Sequence, residues 1–117
     1  MKENILREND IRGRYPNEIN ENAVKIIGKA FAYYIKEKNY NKCIVGHDNR
    51  LSSESLNKSL INALVNSGVE VIDIGLVTTP MLNYATFIKD IDYALMITAS
   101  HNDKNDNGIK IFGKEHL

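Results

Sequence analysis

Short apolar segments alternate with longer stretches of helical periodicity along most of this chain. The most apolar segment, residues 93–97, reads Tyr-Ala-Leu-Met-Ile without one charged residue. Continuous apolar character is typical of parallel strands, because helices cover both of their faces. Strand, helix, strand, helix, strand at these loop lengths predicts right-handed crossovers. We therefore expect an α/β domain of three layers, with a mostly parallel sheet and helices on both faces.

Four segments are predicted to be strands. They are residues 43–45, 69–74, 93–97 and 109–112. The last segment follows a loop too short for a parallel crossover, so we expect it to run antiparallel at an edge of the sheet. The predicted sheet is thus mixed, with about four strands and an antiparallel edge strand.

Capping residues mark the starts of three predicted helices. Apolar residues spaced three and four apart across 19–38 predict an amphipathic helix, for which Asn20 is the expected N-cap. Ser52 is the expected cap of a second helix. Thr79 followed by Pro80 predicts a cap and a first-turn proline at the start of the third.

Composition excludes several classes of protein. The 15 Lys and Arg residues balance 15 Asp and Glu, so no strong field is available to attract nucleic acid or an anionic membrane. The single cysteine, Cys43, excludes an internal disulfide and a zinc site built on several thiolates. No apolar run approaches the roughly 20 residues of a membrane span, and the polar N-terminus is unlike a secretory signal. We expect one cytoplasmic domain over residues 1–117.

Chemistry is expected beyond the C-terminal ends of the parallel strands, where open α/β sheets bind their ligands. Residues 98–110, called the serine loop below, follow the most apolar strand and place Ser100 beside His101, with Lys110 further on. Ser-His-Asn alone is also typical of an ordinary hydrogen-bonded turn. A serine hydrolase is disfavoured, because the G-x-S-x-G elbow is missing.

Four motifs occur in a fixed order along the chain. They read Asp-Ile-Arg-Gly at 10–13, Gly-His-Asp-Asn-Arg-Leu-Ser at 46–52, Gly-Leu-Val-Thr-Thr-Pro at 75–80, and Thr-Ala-Ser-His-Asn at 98–102, continued by Asp-Asn-Gly-Ile-Lys at 106–110. Together they closely resemble the α-D-phosphohexomutases, the superfamily of the phosphoglucomutases and phosphomannomutases. Members have four domains, and the resemblance covers the first, domain I, over nearly the whole of this chain.

The resemblance implies a phosphoserine-bearing N-terminal domain of an enzyme that interconverts hexose 1-phosphate and hexose 6-phosphate through a 1,6-bisphosphate. Ser100 would carry the phosphoryl group, and His101 and Lys110 would stabilise charge or move a proton beside it. Arg12 and Asn102 would bind the substrate or its phosphate. A structural ion pair is the alternative role for Arg12, and turn formation is the alternative for Asn102.

Two further expectations concern the support of the serine loop. Asp48 and Arg50 are expected to form a charge pair that braces this loop, and contact with substrate is the less favoured alternative. Asn107 is expected to form a turn.

The resemblance also implies cofactors and partners. The phosphate on Ser100 would give one oxygen to Mg²⁺, which prefers hard oxygen ligands. The family's other Mg²⁺ ligands come from a D-x-D-x-D loop in the second domain. Expected partners are a phosphosugar, hexose 1,6-bisphosphate as activator, and the remaining three domains of the full-length enzyme, with no nucleic acid and no membrane. The 117-residue chain alone is therefore expected to be inactive.

Two positions depart from the family pattern. Asp103 replaces the proline after Ser-His-Asn, and Asn9 replaces an aromatic residue that commonly precedes Asp-Ile-Arg-Gly. Asp103 brings negative charge near a phosphate site unless its side chain faces solvent, and it removes a restraint on φ. Both departures favour an alternative hypothesis, a stand-alone binding or oligomerisation module derived from a mutase domain.

Overall fold

A computed structural model describes residues 7–100 and 102–113, with side chains from residue 10 onward. The strands are β1 (Arg7–Arg14), β2 (Lys42–His47), β3 (Glu70–Leu76), β4 (Tyr93–Ile97) and β5 (Asp106–Gly113). The helices are α1 (Glu21–Glu37), α2 (Ser53–Asn66) and α3 (Thr79–Lys89). The five strands form one sheet in the order β1-β5-β4-β2-β3.

The sheet is mixed. β2 pairs in parallel with β3 and with β4, whereas β5 pairs antiparallel with β4 and with β1. Two apolar clusters show that helices lie on both faces: α1 and α2 pack on one face, and Leu82 of α3 packs on the other. The predicted α/β class and its layers are confirmed, with five strands in place of about four.

The prediction that the last strand lies at an edge is wrong. β5 lies between β4 and β1, and β1 is the antiparallel edge strand. β1 reads Arg-Glu-Asn-Asp-Ile-Arg-Gly-Arg, in which Ile11 is the one apolar side chain apart from glycine. Such a polar sequence has no hydrophobic alternation, so its pairing with β5 depends on backbone hydrogen bonds that periodicity does not reveal.

The helix starts confirm the predicted N-cap positions of α1 and α2 and move that of α3 by one residue. The side chain of Asn20 accepts a hydrogen bond from the Ala23 N–H, as expected of an N-cap. Ser52 occupies the N-cap position of α2 but makes no capping bond with its side chain. Thr78, one residue before the predicted Thr79, caps α3. None of the helices in the described part of the chain is long and apolar enough to cross a membrane.

Candidate active site

The structure presents Ser100 just beyond the end of a buried strand. Thr98 and Ala99, which follow β4, are buried, whereas Ser100 is partly buried and lines an open cleft of about 1050 Å³. Its φ of +56° lies in the left-handed region, which costs a residue with a Cβ about 1–2 kcal/mol. Ser100 therefore borders an open cleft, on a backbone that its surroundings must hold in place.

Two hydrogen bonds hold the backbone on either side of Ser100. Its N–H donates to Thr98 Oγ1 at 3.0 Å. Its carbonyl oxygen accepts from Arg50 Nη2 at 2.7 Å. Arg50 reaches this position because β2 and β4 are adjacent parallel strands that end at the same side of the sheet.

Arg50 contacts the serine loop along its length. Its side chain is only 11% exposed, and its Nε donates to Asp48 Oδ2 at 3.2 Å. Its two Nη atoms donate to the carbonyl oxygens of Ser100 (2.7 Å), Asn102 (3.0 Å), Asp103 (2.6 Å) and Asp106 (3.1 Å). The expectation that Asp48 and Arg50 form a charge pair bracing this loop is confirmed.

A buried polar network lies beneath this pair. Asp48 Oδ1 accepts from the Ser53 hydroxyl at 2.5 Å and from the Arg50 N–H at 3.1 Å. Asn107 is fully buried, and its Nδ2 donates to the hydroxyls of Ser52 (2.7 Å) and Ser53 (2.9 Å). The prediction that Asn107 forms a turn is wrong, since it belongs to β5 and joins that strand to the start of α2.

On the other side of the loop, β1 brings an acidic and a basic side chain to the cleft region. Arg12 donates from Nη2 and Nε to the Asp10 carboxylate at 2.8 and 3.1 Å, and from Nη1 to Asn102 Oδ1 at 2.7 Å. Lys110 lies opposite Asp10 on β5, with its Nζ 3.8 Å from Asp10 Oδ2. The Asp10 carboxylate thus lies between two cationic side chains.

Asn102 has both a turn contact and a bridging contact. Its N–H donates to the Ala99 carbonyl at 3.0 Å, which closes a turn around Ser100. Its side-chain amide accepts from Arg12 and donates to Asp106 Oδ2 at 3.2 Å. Asn102 therefore connects β1 to the far end of the serine loop.

The two departures from the family pattern, Asp103 and Asn9, lie in different parts of the fold. Asp103 is exposed, and its Oδ1 accepts from the Asn105 N–H at 3.0 Å, so its charge faces solvent. The Asn9 backbone pairs with Ile111 in the sheet, and its side chain lies outside the described part of the structure. His101 also lies outside the described residues.

The sequence-predicted site residues that the structure describes come together. Ser100, Asn102 and Lys110 line the same cleft, and Arg12 contacts Asn102. Sequence reasoning missed Asp10, although alternation along a strand places Asp10 and Arg12 on one face. It also missed Thr98 as the acceptor for the Ser100 N–H, a contact that requires the actual turn geometry.

Comparisons with known proteins agree with this architecture. A family model described as "Phosphoglucomutase/phosphomannomutase, alpha/beta/alpha domain I" matches residues 3–116. A phosphomannomutase of Klebsiella pneumoniae is 43% identical over 102 residues, which are 87% of this chain and 63% of that protein. A Methanosphaera stadtmanae protein assigned as a phosphoglucosamine mutase is 39% identical over 107 residues, 92% of this chain and 24% of that protein.

Two solved structures share the fold. A phosphoglucomutase/phosphomannomutase family protein from Burkholderia thailandensis aligns with a TM-score of 0.75 and 28% identity, covering 90% of this chain and 25% of that chain. A Thermus thermophilus protein assigned as a phosphomannomutase aligns with a TM-score of 0.85 and 26% identity, covering 90% and 24%. This chain thus spans 63% of the Klebsiella relative and about a quarter of the other three.

The mixed sheet with helices on both faces, and the cleft beyond its parallel strands that Ser100 lines, define an α/β/α domain. The chain belongs to the phosphoglucomutase/phosphomannomutase family, and residues 3–116 correspond to domain I. The recognition that rested on four sequence motifs is therefore confirmed.

Proposed function

We propose that this chain is the phosphoserine-bearing domain of a phosphohexomutase, which interconverts hexose 1-phosphate and hexose 6-phosphate through hexose 1,6-bisphosphate. One observation carries the proposal. The hydroxyl-bearing Ser100 is partly buried, held in a left-handed conformation, and lines a cleft together with Lys110. Non-glycine residues in that conformation are concentrated at functional sites.

The proposed transfer needs no reactant besides the phosphorylated Ser100 and the sugar phosphate. The bond from phosphorus to Ser100 Oγ breaks as a bond forms from phosphorus to a sugar hydroxyl oxygen. The proton of that hydroxyl leaves the sugar, and Ser100 Oγ ends as a hydroxyl. The sugar then presents its other phosphate, and the same step runs in reverse. Such transfers need mainly alignment and neutralisation of charge on the phosphoryl oxygens.

The cationic side chains near the cleft suit that need. Lys110 is proposed to face the phosphoryl oxygens, and His101 is proposed to move the proton. Arg12 is proposed to bind the substrate phosphate through its forked donors. In this structure its N–H groups donate to Asp10 and Asn102, so an arriving phosphate would replace these acceptors or share the Arg12 donors with them.

The Mg²⁺ that the resemblance implies can be compared with the donors present. The described residues contain no group of three or more His, Cys, Asp or Glu side chains that could hold a metal ion. The serine loop offers the Ser100 oxygen, or the phosphate on it, as a single ligand. The described part of the chain does not fit a Mg²⁺ site of its own, and a proposed Mg²⁺ would take its other ligands elsewhere.

The alternative of a non-catalytic module rested on Asp103 and Asn9. The carboxylate of Asp103 is exposed, so this departure places no charge inside the cleft. The hydrogen bond from Arg50 to the Asp103 carbonyl restrains the loop at the position where the family has proline. Neither observation favours loss of catalysis.

A domain exchange tests the proposal. The Escherichia coli phosphomannomutase that is 42% identical over 102 residues offers a host whose matching segment can be replaced by residues 3–116. We expect the chimera to isomerise mannose phosphates, and its S100A version to lose at least about 1,000-fold in turnover, as expected for loss of a covalent intermediate.

The control is the Lys58→Ala chimera, which changes an exposed residue of α2 outside the cleft and is expected to retain activity. A folded chimera that takes up no phosphoryl group and does not turn over would support the non-catalytic module. The 117-residue chain alone is expected to show no sustained isomerisation when given hexose 1-phosphate, hexose 1,6-bisphosphate and Mg²⁺. Sustained turnover by this chain would refute that part of the proposal.

A further inference from the structure

The Arg50 guanidinium has a different task from the cationic groups that are proposed to meet phosphate. A guanidinium has five N–H donors, and Arg50 makes five hydrogen bonds with them. One goes to the Asp48 carboxylate and four go to backbone carbonyl oxygens of the serine loop. These bonds occupy the whole donor set, so a phosphate or sugar would have to displace part of it.

The hydrogen bond from Arg50 to the Ser100 carbonyl oxygen influences the direction in which the Ser100 hydroxyl points. With a φ of +56°, Ser100 adopts a conformation that residues with a Cβ rarely adopt. Thr98 accepts from its N–H and Arg50 donates to its carbonyl, so both flanking peptide groups are fixed. The direction of the Cα–Cβ bond follows from those peptide groups, and the hydroxyl follows from that bond.

We propose that Arg50 is a positioning residue for phosphoryl transfer, which fixes the Ser100 backbone so that its hydroxyl faces the cleft. Arg50 does not touch the phosphoryl group. This inference rests on the proposed function of Ser100. Asp103, at the position of a family proline, leaves the loop with one φ restraint fewer, and the hydrogen bond of 2.6 Å from Arg50 to its carbonyl supplies a substitute restraint.

The first test is residue-resolved amide hydrogen exchange in the 117-residue chain, comparing R50K with R14K. Lysine keeps the charge but lacks the planar fork. Arg14 is a matched control, because its half-exposed side chain approaches the same loop with its Nε 3.6 Å from Asp106 Oδ1. In R50K we expect the amides of Ser100, Asn102 and Asp106 to exchange at least about tenfold faster, since charge-assisted bonds are lost.

In R14K the same amides are expected to stay within about threefold of the parent chain, because exposed ion pairs contribute little. The β4 amides are expected to be unchanged in both variants. Equal exchange at the loop in R50K and R14K would overturn the proposal. If R50K fails to fold, D48N is the second variant. It keeps the four carbonyl bonds but weakens the orientation of the guanidinium, and we expect the same amides to exchange faster.

The second test separates positioning from substrate binding. The chimera that carries residues 3–116 and its R50K version are incubated with glucose 1,6-bisphosphate and Mg²⁺, and phosphate on Ser100 is followed by mass spectrometry over a range of donor concentrations. We expect R50K to lower the maximal rate about 100-fold, as misplacement of a reacting group does, with the half-saturating concentration nearly unchanged. A raised half-saturating concentration at an unchanged maximal rate would overturn the proposal, by making Arg50 a binding residue.

A negative result in one test does not imply a negative result in the other. If the parent chimera takes no phosphate on Ser100, the proposed phosphoryl transfer fails, and with it the catalytic half of this inference. The exchange measurement still decides whether Arg50 fixes the conformation of Ser100.

Discussion

Asn107 donates a hydrogen bond of 2.9 Å from its buried side-chain amide to the hydroxyl of Ser53, 54 residues earlier in the chain. The same amide donates to Ser52, and its oxygen accepts from the Gly108 N–H at 2.9 Å. Ser53 in turn donates to Asp48, the partner of Arg50. The start of β5, the start of α2 and the brace of the serine loop are thus one continuous hydrogen-bonded unit.

Replacement of Asn107 by alanine is expected to destabilise the fold. It leaves buried hydroxyl and N–H groups without their partner, which costs about 1–3 kcal/mol in the free energy of unfolding. The control is Asn105→Ala, because the side chain of Asn105 is exposed and the backbone of this residue makes its hydrogen bonds to Asp103 and Tyr15. Urea denaturation measures the free energy of unfolding of N107A and of N105A. A loss in N107A no larger than in N105A would contradict the role given to this network.

Gly108 is expected to be essential for the docking of β1. It pairs with Arg12, and a Cβ there would overlap the carbonyl oxygen of Ile11 and lie 3.0 Å from the Arg12 Cα. Both are backbone atoms of β1, so in G108A that strand must move, at a cost of about 1–3 kcal/mol. We expect faster amide exchange in β1 than in the parent chain.

Gly75→Ala is the control for that substitution. Gly75 has a φ of +74°, and a Cβ there would meet no described atom within 4 Å. Its replacement costs backbone strain of about 1–2 kcal/mol without touching β1. Increased exchange in β1 in both variants alike would show that general destabilisation, and not the close approach at Gly108, is responsible.

The carboxylate of Glu21 is expected to make stability depend on pH in the acid range. Hydrogen bonds from the hydroxyls of Ser55 (2.6 Å) and Tyr15 (2.7 Å) hold the pKa of Glu21 below its ordinary value of 4.5. The unfolded chain then binds a proton more readily than the folded one. The stabilisation is complete above that ordinary value and is lost as the pH falls through the lowered pKa.

We therefore expect the parent chain to lose more stability than E21Q between roughly pH 5 and pH 3, measured by urea denaturation at each pH. Glu70→Gln, an exposed position on β3, is the control and is expected to follow the parent chain. A difference between parent and E21Q that is the same at every pH would show that the ionisation of Glu21 is not involved.

The elements that the sequence predicted well are those whose pattern is local. β4 is buried along its whole length, so its apolar run sufficed. Asn20 caps α1 through a contact three residues away. β1 was missed because polar residues fill it, and its partner lies about 100 residues later. The prediction that β5 lies at an edge failed for the same reason, because β1 covers that side of β5.

The site was predictable to the extent that motifs carry it. Ser100, Lys110 and Arg50 were singled out from short motifs, and the brace by the Asp48–Arg50 pair was predicted among the roles assigned after the family resemblance. The burial of Asn107 was not predictable, because an asparagine is buried only where distant partners satisfy it. The pairing of Arg12 with Asp10 could have been predicted, because alternation along a strand places both side chains on one face.

The most direct test of the central claim is to locate phosphate on this chain. The chimera that carries residues 3–116 is incubated with glucose 1,6-bisphosphate and Mg²⁺, and peptides are mapped for a mass increase of about 80 Da, the mass that phosphorylation adds. We expect the increase on Ser100, and none in S100A under the same conditions. Phosphate on another residue with Ser100 unmodified, or equal uptake by S100A, would contradict the account.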